Sequence, residues 1–168
     1  MPRNKQLNNV IKSNHIQPSA VATADIADDA ITNAKLHTRA TKHLCFMYNL
    51  DELGGAASAI TLTAPDNSAQ TIPDNAVIKS VTIEGVTDNT SGGSATIALG
   101  YTGQATAFLS ATAFDNAMWN ENAVTTATPT VAVGKTTAAV SVLATIATAA
   151  LTAGKWFIWV EYYEGAVV

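Results

Sequence analysis

Between residues 42 and 163 apolar and small polar residues alternate with a period of two, and turn signals separate the runs. Val140, Val142, Ala144 and Ile146 alternate with Ser141, Leu143, Thr145 and Ala147. Ala95, Ile97, Leu99 and Tyr101 fall on one side of another run, with Ser94, Thr96 and Ala98 on the other. Leu44, Phe46 and Tyr48 share a face of residues 44–50, and Ile60-Thr61-Leu62-Thr63 repeats the pattern. Successive side chains of an extended chain point to opposite faces, so such runs read as strands with a buried side. Val77, Val81 and Ile83 are the expected core residues of residues 76–86.

Punctuation supports the same reading. Pro65-Asp66-Asn67, Asp88-Asn89-Thr90-Ser91-Gly92-Gly93, Gly134-Lys135 after Val131 and Val133, and Thr152-Ala153-Gly154-Lys155 are turn sequences. Residues 51–57, with Gly54-Gly55, read as a loop. Residues 105–118 fit either a short helix or a tight loop around Phe108, Leu109, Ala113 and Phe114. Seven or eight strands with no βαβ alternation predict an all-β fold, a sandwich or jelly roll, and about 120 residues can bury a core.

The last strand, residues 156–163, is apolar on both sides. Trp156, Ile158 and Val160 share one face, and Phe157, Trp159 and Tyr163 share the other. A strand of a one-sided sheet has a polar outer face. Either loops cover the second face, or Phe157, Trp159 and Tyr163 form a subunit interface.

The first 41 residues are of another kind. Ala20-Val21-Ala22-Thr23-Ala24-Asp25-Ile26 is echoed ten positions on by Ala30-Ile31-Thr32-Asn33-Ala34-Lys35-Leu36. Val10, Ile11, Ile16, Val21, Ile26, Ile31 and Leu36 recur at about five residues over much of the stretch, a period of neither helix nor strand. Asp28-Asp29-Ala30 suits the cap of one helical turn. Two domains are expected: an extended N-terminal arm over 1–41, whose spaced aliphatics act as pegs for other subunits, and a β-sandwich body over 42–168. A disordered leader is the alternative for the first.

Charge divides the chain at the same place. Residues 1–50 hold six Lys/Arg and three Asp, a balance of +3. Residues 51–168 hold three Lys and ten acids, a balance of −7. The two parts therefore have different surfaces and different partners. Charged residues are 13% of the chain, against about 25% in a typical globular protein. That points to an oligomer with much of its surface covered. An acidic body is a poor binder of nucleic acid, and Arg3, Lys5 and Lys12 suit a solvated or protein-docking terminus better than a phosphate site. No membrane partner is expected, because residues 138–151 are too short and too polar to cross a bilayer.

No catalytic constellation emerges. His15, His37 and His43 lie in the arm or its junction, and no Gly-x-Ser-x-Gly elbow exists. Asp28-Asp29 and Asp51-Glu52 are adjacent pairs, which point apart on an extended chain. His37, His43 and Cys45 match no zinc-finger spacing. Cys45, alone in the chain, reads as a small buried hydrophobe. No metal, no cofactor and no enzymatic activity are expected.

The segment Asp25-Ile26-Ala27-Asp28-Asp29-Ala30-Ile31-Thr32-Asn33-Ala34-Lys35-Leu36 resembles a repeat near the N-termini of tailed-bacteriophage fibre and head-decoration proteins. Ile72-Pro73-Asp74-Asn75-Ala76-Val77-Ile78 resembles the opening turn and strand of their bodies. Residues 81–101, with the Gly-Gly-Ser break, resemble the next hairpin. Leu151-Thr152-Ala153-Gly154-Lys155 followed by Val160-Glu161-Tyr162 resembles the closing hairpin. The departure is residues 105–122.

The resemblance implies a jelly-roll-like homotrimer on the outer surface of the virion capsid, a decoration or cement protein that stabilises the shell. Its partner would be the major capsid protein, gripped through Arg3, Lys5, Val10, Ile11, Lys12, Ile16, Val21, Ile26, Ile31, Lys35 and Leu36. The alternative within the same resemblance is a head- or tail-fibre component whose body binds a host receptor, with Trp119 and the 108–122 loop as its candidate surface.

Overall fold

The computed structural model describes residues 40–127 and 135–165. The chain divides into two units, Met1–Leu36 and His37–Val168, and every described residue belongs to the second. The expected arm and its pegs, and the pair Val131 and Val133, lie outside the described residues.

Eight strands run in order through the described residues: β1 (Lys42–Asn49), β2 (Ala59–Thr61), β3 (Ala76–Ser91), β4 (Thr96–Tyr101), β5 (Gln104–Ala113), β6 (Val124–Ala127), β7 (Val142–Ala147) and β8 (Leu151–Glu164). They form two antiparallel four-stranded sheets. Sheet A has the order β1-β8-β3-β6, and sheet B the order β2-β7-β4-β5. The first half of the chain thus interleaves with the second in each sheet, the winding of a jelly-roll-like sandwich.

One core joins the sheets. Phe46, Tyr48, Val81, Ile83, Trp156, Ile158 and Val160 enter it from sheet A, and Ile60, Ile97, Leu99, Val142, Ala144 and Ile146 from sheet B. The register explains the inward rows: Phe46 faces Ile158, which faces Ile83, and Val160 faces Val81. Trp156 is opposite Tyr48, and their rings stack at 4.6 Å and 16°.

Several local readings need correction. Val77 does not enter the core. A bulge between Ile78 and Ser80 shifts the phase of β3, so Ala76 and Ile78 point inward before it and Val81 and Ile83 after it. Asp88-Asn89-Thr90-Ser91 is strand, not turn. Thr152-Ala153-Gly154-Lys155 is also strand, because the far end of β3 pairs with it: Thr90 opposes Ala153, and the Thr90 and Thr152 hydroxyls lie 2.7 Å apart. Gly154 marks a bulge there. Its φ is +146°, and a Cβ would fall 2.0 Å from the Asn89 Oδ1 atom. The reversal comes earlier, around Thr148 with φ +71°.

Residues 51–57 are not wholly loop. Leu50–Leu53 (α1) makes one helical turn, whose N-cap Asn49 accepts a hydrogen bond from the Asp51 N–H at 3.3 Å. Residues 105–118 hold most of β5, then a 3-10 turn at Ala117–Trp119. That turn drives Trp119 into the core, where its ring meets Trp156 at 5.3 Å and its indole N–H donates to the Ala113 carbonyl. Gly85 makes room, since a Cβ on it would lie 2.0 Å from the Asn120 carbonyl oxygen.

Candidate assembly surface

β8 is an inner strand of sheet A, flanked by β1 and β3. Its inward residues are fully buried, and the alternation of the strand then sends Phe157, Trp159 and Tyr163 to the outer face. The register gathers neighbours around them. One row reads Met47, Phe157, Glu84, Val124, and the next reads Cys45, Trp159, Thr82, Thr126. Tyr163 lies opposite Val77.

Among the described residues, the large hydrophobic side chains that stay exposed all belong to this sheet. Val124 is 69% exposed, Trp159 42% and Tyr163 39%. Phe157 is half-buried beside Trp159, with ring centroids 6.4 Å apart and tilted by 54°. The face is open around Trp159 and Tyr163 but closed at one end, where Met47 beside Phe157 is buried and bridged to Thr63. Sequence alternation therefore located three members of the patch. It missed Val124, because β6 is only four residues long and its Val-Thr-Thr-Ala carries too few apolar positions to show a period.

The acids on this face already have partners. The Trp159 indole N–H donates to Glu84 Oε2 at 2.8 Å. The Ser80 hydroxyl donates to Glu161 Oε2 at 2.7 Å, and Lys79 Nζ approaches the same oxygen at 3.6 Å. The Ser80 hydrogen bond, with Lys79 and His43 nearby, holds the Glu161 carboxyl below the usual range. Burial, and then the Glu84 charge, push the Cys45 thiol up to about 11, so it stays a protonated, inert packing group.

No group of three or more His, Cys, Asp or Glu is placed to hold a metal among the described residues. His43 and Cys45 sit two residues apart on β1, and His37 and the arm residues Arg3, Lys5, Val10, Ile11, Lys12, Ile16, Val21, Ile26, Ile31, Lys35 and Leu36 lie outside the described residues. No described helix is long and apolar enough to cross a membrane. The 105–122 segment also gains a structural meaning: Phe108 and Trp119 are both fully buried, so neither ring is offered to a ligand.

No protein-family model matches the chain, and no curated protein is similar to it in sequence. Solved structures do share its fold. A chain in the capsid of Ralstonia phage GP4 superposes with a TM-score of 0.53 at 19% identity, over 77% of this chain and 87% of that one. A chain of the cyanophage Pam1 capsid asymmetric unit gives 0.53 at 20% identity, over 80% and 98%. A chain in the acid-stable capsid of the Helicobacter pylori bacteriophage KHP30 gives 0.51 at 16%, over 76% and 90%. At these identities the likeness is one of fold, and the fold is an all-β sandwich also found in three phage capsids.

Proposed function

We propose that this chain is a structural protein of a bacteriophage virion, and within that class a decoration (cement) protein on the outside of the capsid. The likeness of its fold to chains of three phage capsids carries the reading, because it spans more than three quarters of the chain in each. The N-terminal repeat adds to it. In this reading residues 1–41 bind the major capsid protein, and the acidic body of residues 42–168 stands outside the shell. Copies associate as a homotrimer through the Phe157, Trp159 and Tyr163 face. The work is done by contact area alone, which large apolar interfaces supply without chemistry.

The test is co-sedimentation with capsids stripped of decoration. The intact chain should pellet with the shells, and a chain lacking residues 1–39 should stay in the supernatant while keeping its β circular dichroism. Binding that survives the deletion would remove the arm from the function. The fibre alternative loses Trp119 as a contact residue, since that ring is locked in the core, and keeps the exposed Asp115, Asn116, Asn120, Glu121 and Asn122 of the 108–122 loop.

A further inference from the structure

All nine Lys/Arg and all thirteen Asp/Glu of the chain lie outside three stretches, 53–65, 89–114 and 136–154. Those stretches contain the whole of sheet B. The charges of the described strands, Lys42, Lys79, Glu84, Asp88, Lys155, Glu161 and Glu164, are all on sheet A. Sheet B ends in β5, ten residues whose only strand partner among the described residues is β4. β5 has neither charge nor proline, and Ala105, Ser110, Ala111 and Ala113 are exposed along it. Long edge strands in soluble proteins are ordinarily guarded by Lys, Pro or cover, because their open backbone groups invite another chain. β5 has irregular register against β4 but neither lysine nor proline.

We propose that the β5 edge is the receiving half of the subunit contact, occupied by the Phe157–Trp159–Tyr163 face of a second copy of this chain. This rests on the trimer reading above. A ring of three is built from heterologous contacts, so one patch must meet a different patch on the next copy. The aromatic face of sheet A is one patch, and a ring needs its counterpart.

Electrostatics and geometry both select β5. Residues 51–168 carry a balance of −7, so copies repel wherever acids are brought together. An uncharged edge presents no such penalty to a face that bears Glu84 and Glu161. The edge of a sandwich stands roughly at right angles to its faces. A face-to-edge contact turns each copy relative to the last and can close a ring. Contact between the outer faces of sheets A and B, which lie on opposite sides, would propagate an open stack. The Ala and Ser side chains of β5 also leave its backbone accessible to large rings, and the Tyr163 hydroxyl can both donate and accept at an open strand edge.

The experiment is a mixing test on the full-length chain, read by light scattering after size exclusion. Trp159→Glu blocks the face and Ala111→Glu blocks the edge, with Ala105→Glu as a second edge variant in case the first misfolds. Far-UV circular dichroism confirms that each is folded. The native chain should run as a trimer and each variant alone as a monomer. An equimolar mixture of face and edge variants should run at twice the monomer mass, because one intact contact can form and no third copy can join. A trimer that persists in both edge variants, or a mixture that stays monomeric, would overturn the assignment of β5. A native chain that is itself monomeric would instead overturn the trimer reading beneath it.

Discussion

Single atoms decide several positions in this fold. Gly85 has no room for a side chain, because the Asn120 carbonyl occupies the space. Gly85→Ala must push out the turn that carries Trp119, and should cost about 3 kcal/mol in urea unfolding. Trp119→Ala should cost about 3–5 kcal/mol, since it empties a fully buried site against Trp156. The two effects share one piece of structure, so the double variant should lose less than their sum.

Protonation acts at the residue scale too. Burial raises the Cys45 thiol from 9.0 to about 11 and the Tyr48 phenol from 10.0 to about 12. The native state thus prefers the protonated forms. Their contribution is complete below pH 9 and is lost as pH rises toward 11 and 12. Stability should begin to fall above pH 9, and Cys45→Ala should delay that onset when melting temperature is followed against pH.

At the scale of the element, alternation was legible wherever a strand runs without interruption. β4, β7 and the second half of β8 could be read from the sequence because each keeps one phase from end to end. β3 could not. Its bulge at Lys79 inverts the phase, and no property of Lys79-Ser80 announces a bulge. The Asn89 and Gly154 region departs from its turn-like sequence for a related reason. Asn, Thr and Gly favour turns as isolated residues, yet here β3 and β8 are long enough to pair across them. The aromatic patch was half legible, since β8 showed its outer face while the neighbours in β1, β3 and β6 depend on pairings between distant segments. Deleting Lys79 takes out the extra residue and puts Ala76, Ile78, Val81 and Ile83 in a single inward phase, so a cooperative thermal transition should persist. Its loss would show that the bulge itself is needed by the fold.

The first rung of β1 holds a second test. Lys42 is 2% exposed, and its Nζ lies 2.6 Å from Glu164 Oε1. Glu164→Gln leaves that cation without its counter-charge and should cost about 2 kcal/mol, less than a fully buried pair because Glu164 is a third exposed. Lys42→Met keeps the stem and removes the charge, and should stay within about 1 kcal/mol of the native chain. Equal losses from both would refute the view that burial of an unpaired charge sets the cost.

For the whole molecule, topology sets the terms. β1 pairs with β8, so segments more than a hundred residues apart must meet before sheet A exists. Refolding should be slow for a body of this size, on the order of milliseconds to seconds. Removing residues 1–39 should leave the melting temperature of the body almost unchanged. Removing β1 as well takes out Phe46, Tyr48 and one border of sheet A, and should abolish the folded state.

The same ladder has a consequence for load. The chain enters β1 at Lys42 and is at once tied, residue by residue, to eight positions of β8 from Tyr162 to Lys155. Tension applied there along the strand axis is shared by all eight at once and must shear the ladder as a unit. Tension across the axis would peel it from the Lys42–Glu164 end, one pair at a time. β8 passes the load onward to β3, its neighbour on the other side. The edge strand is therefore a cleat: it holds fast against a pull in one direction and lets go in the other.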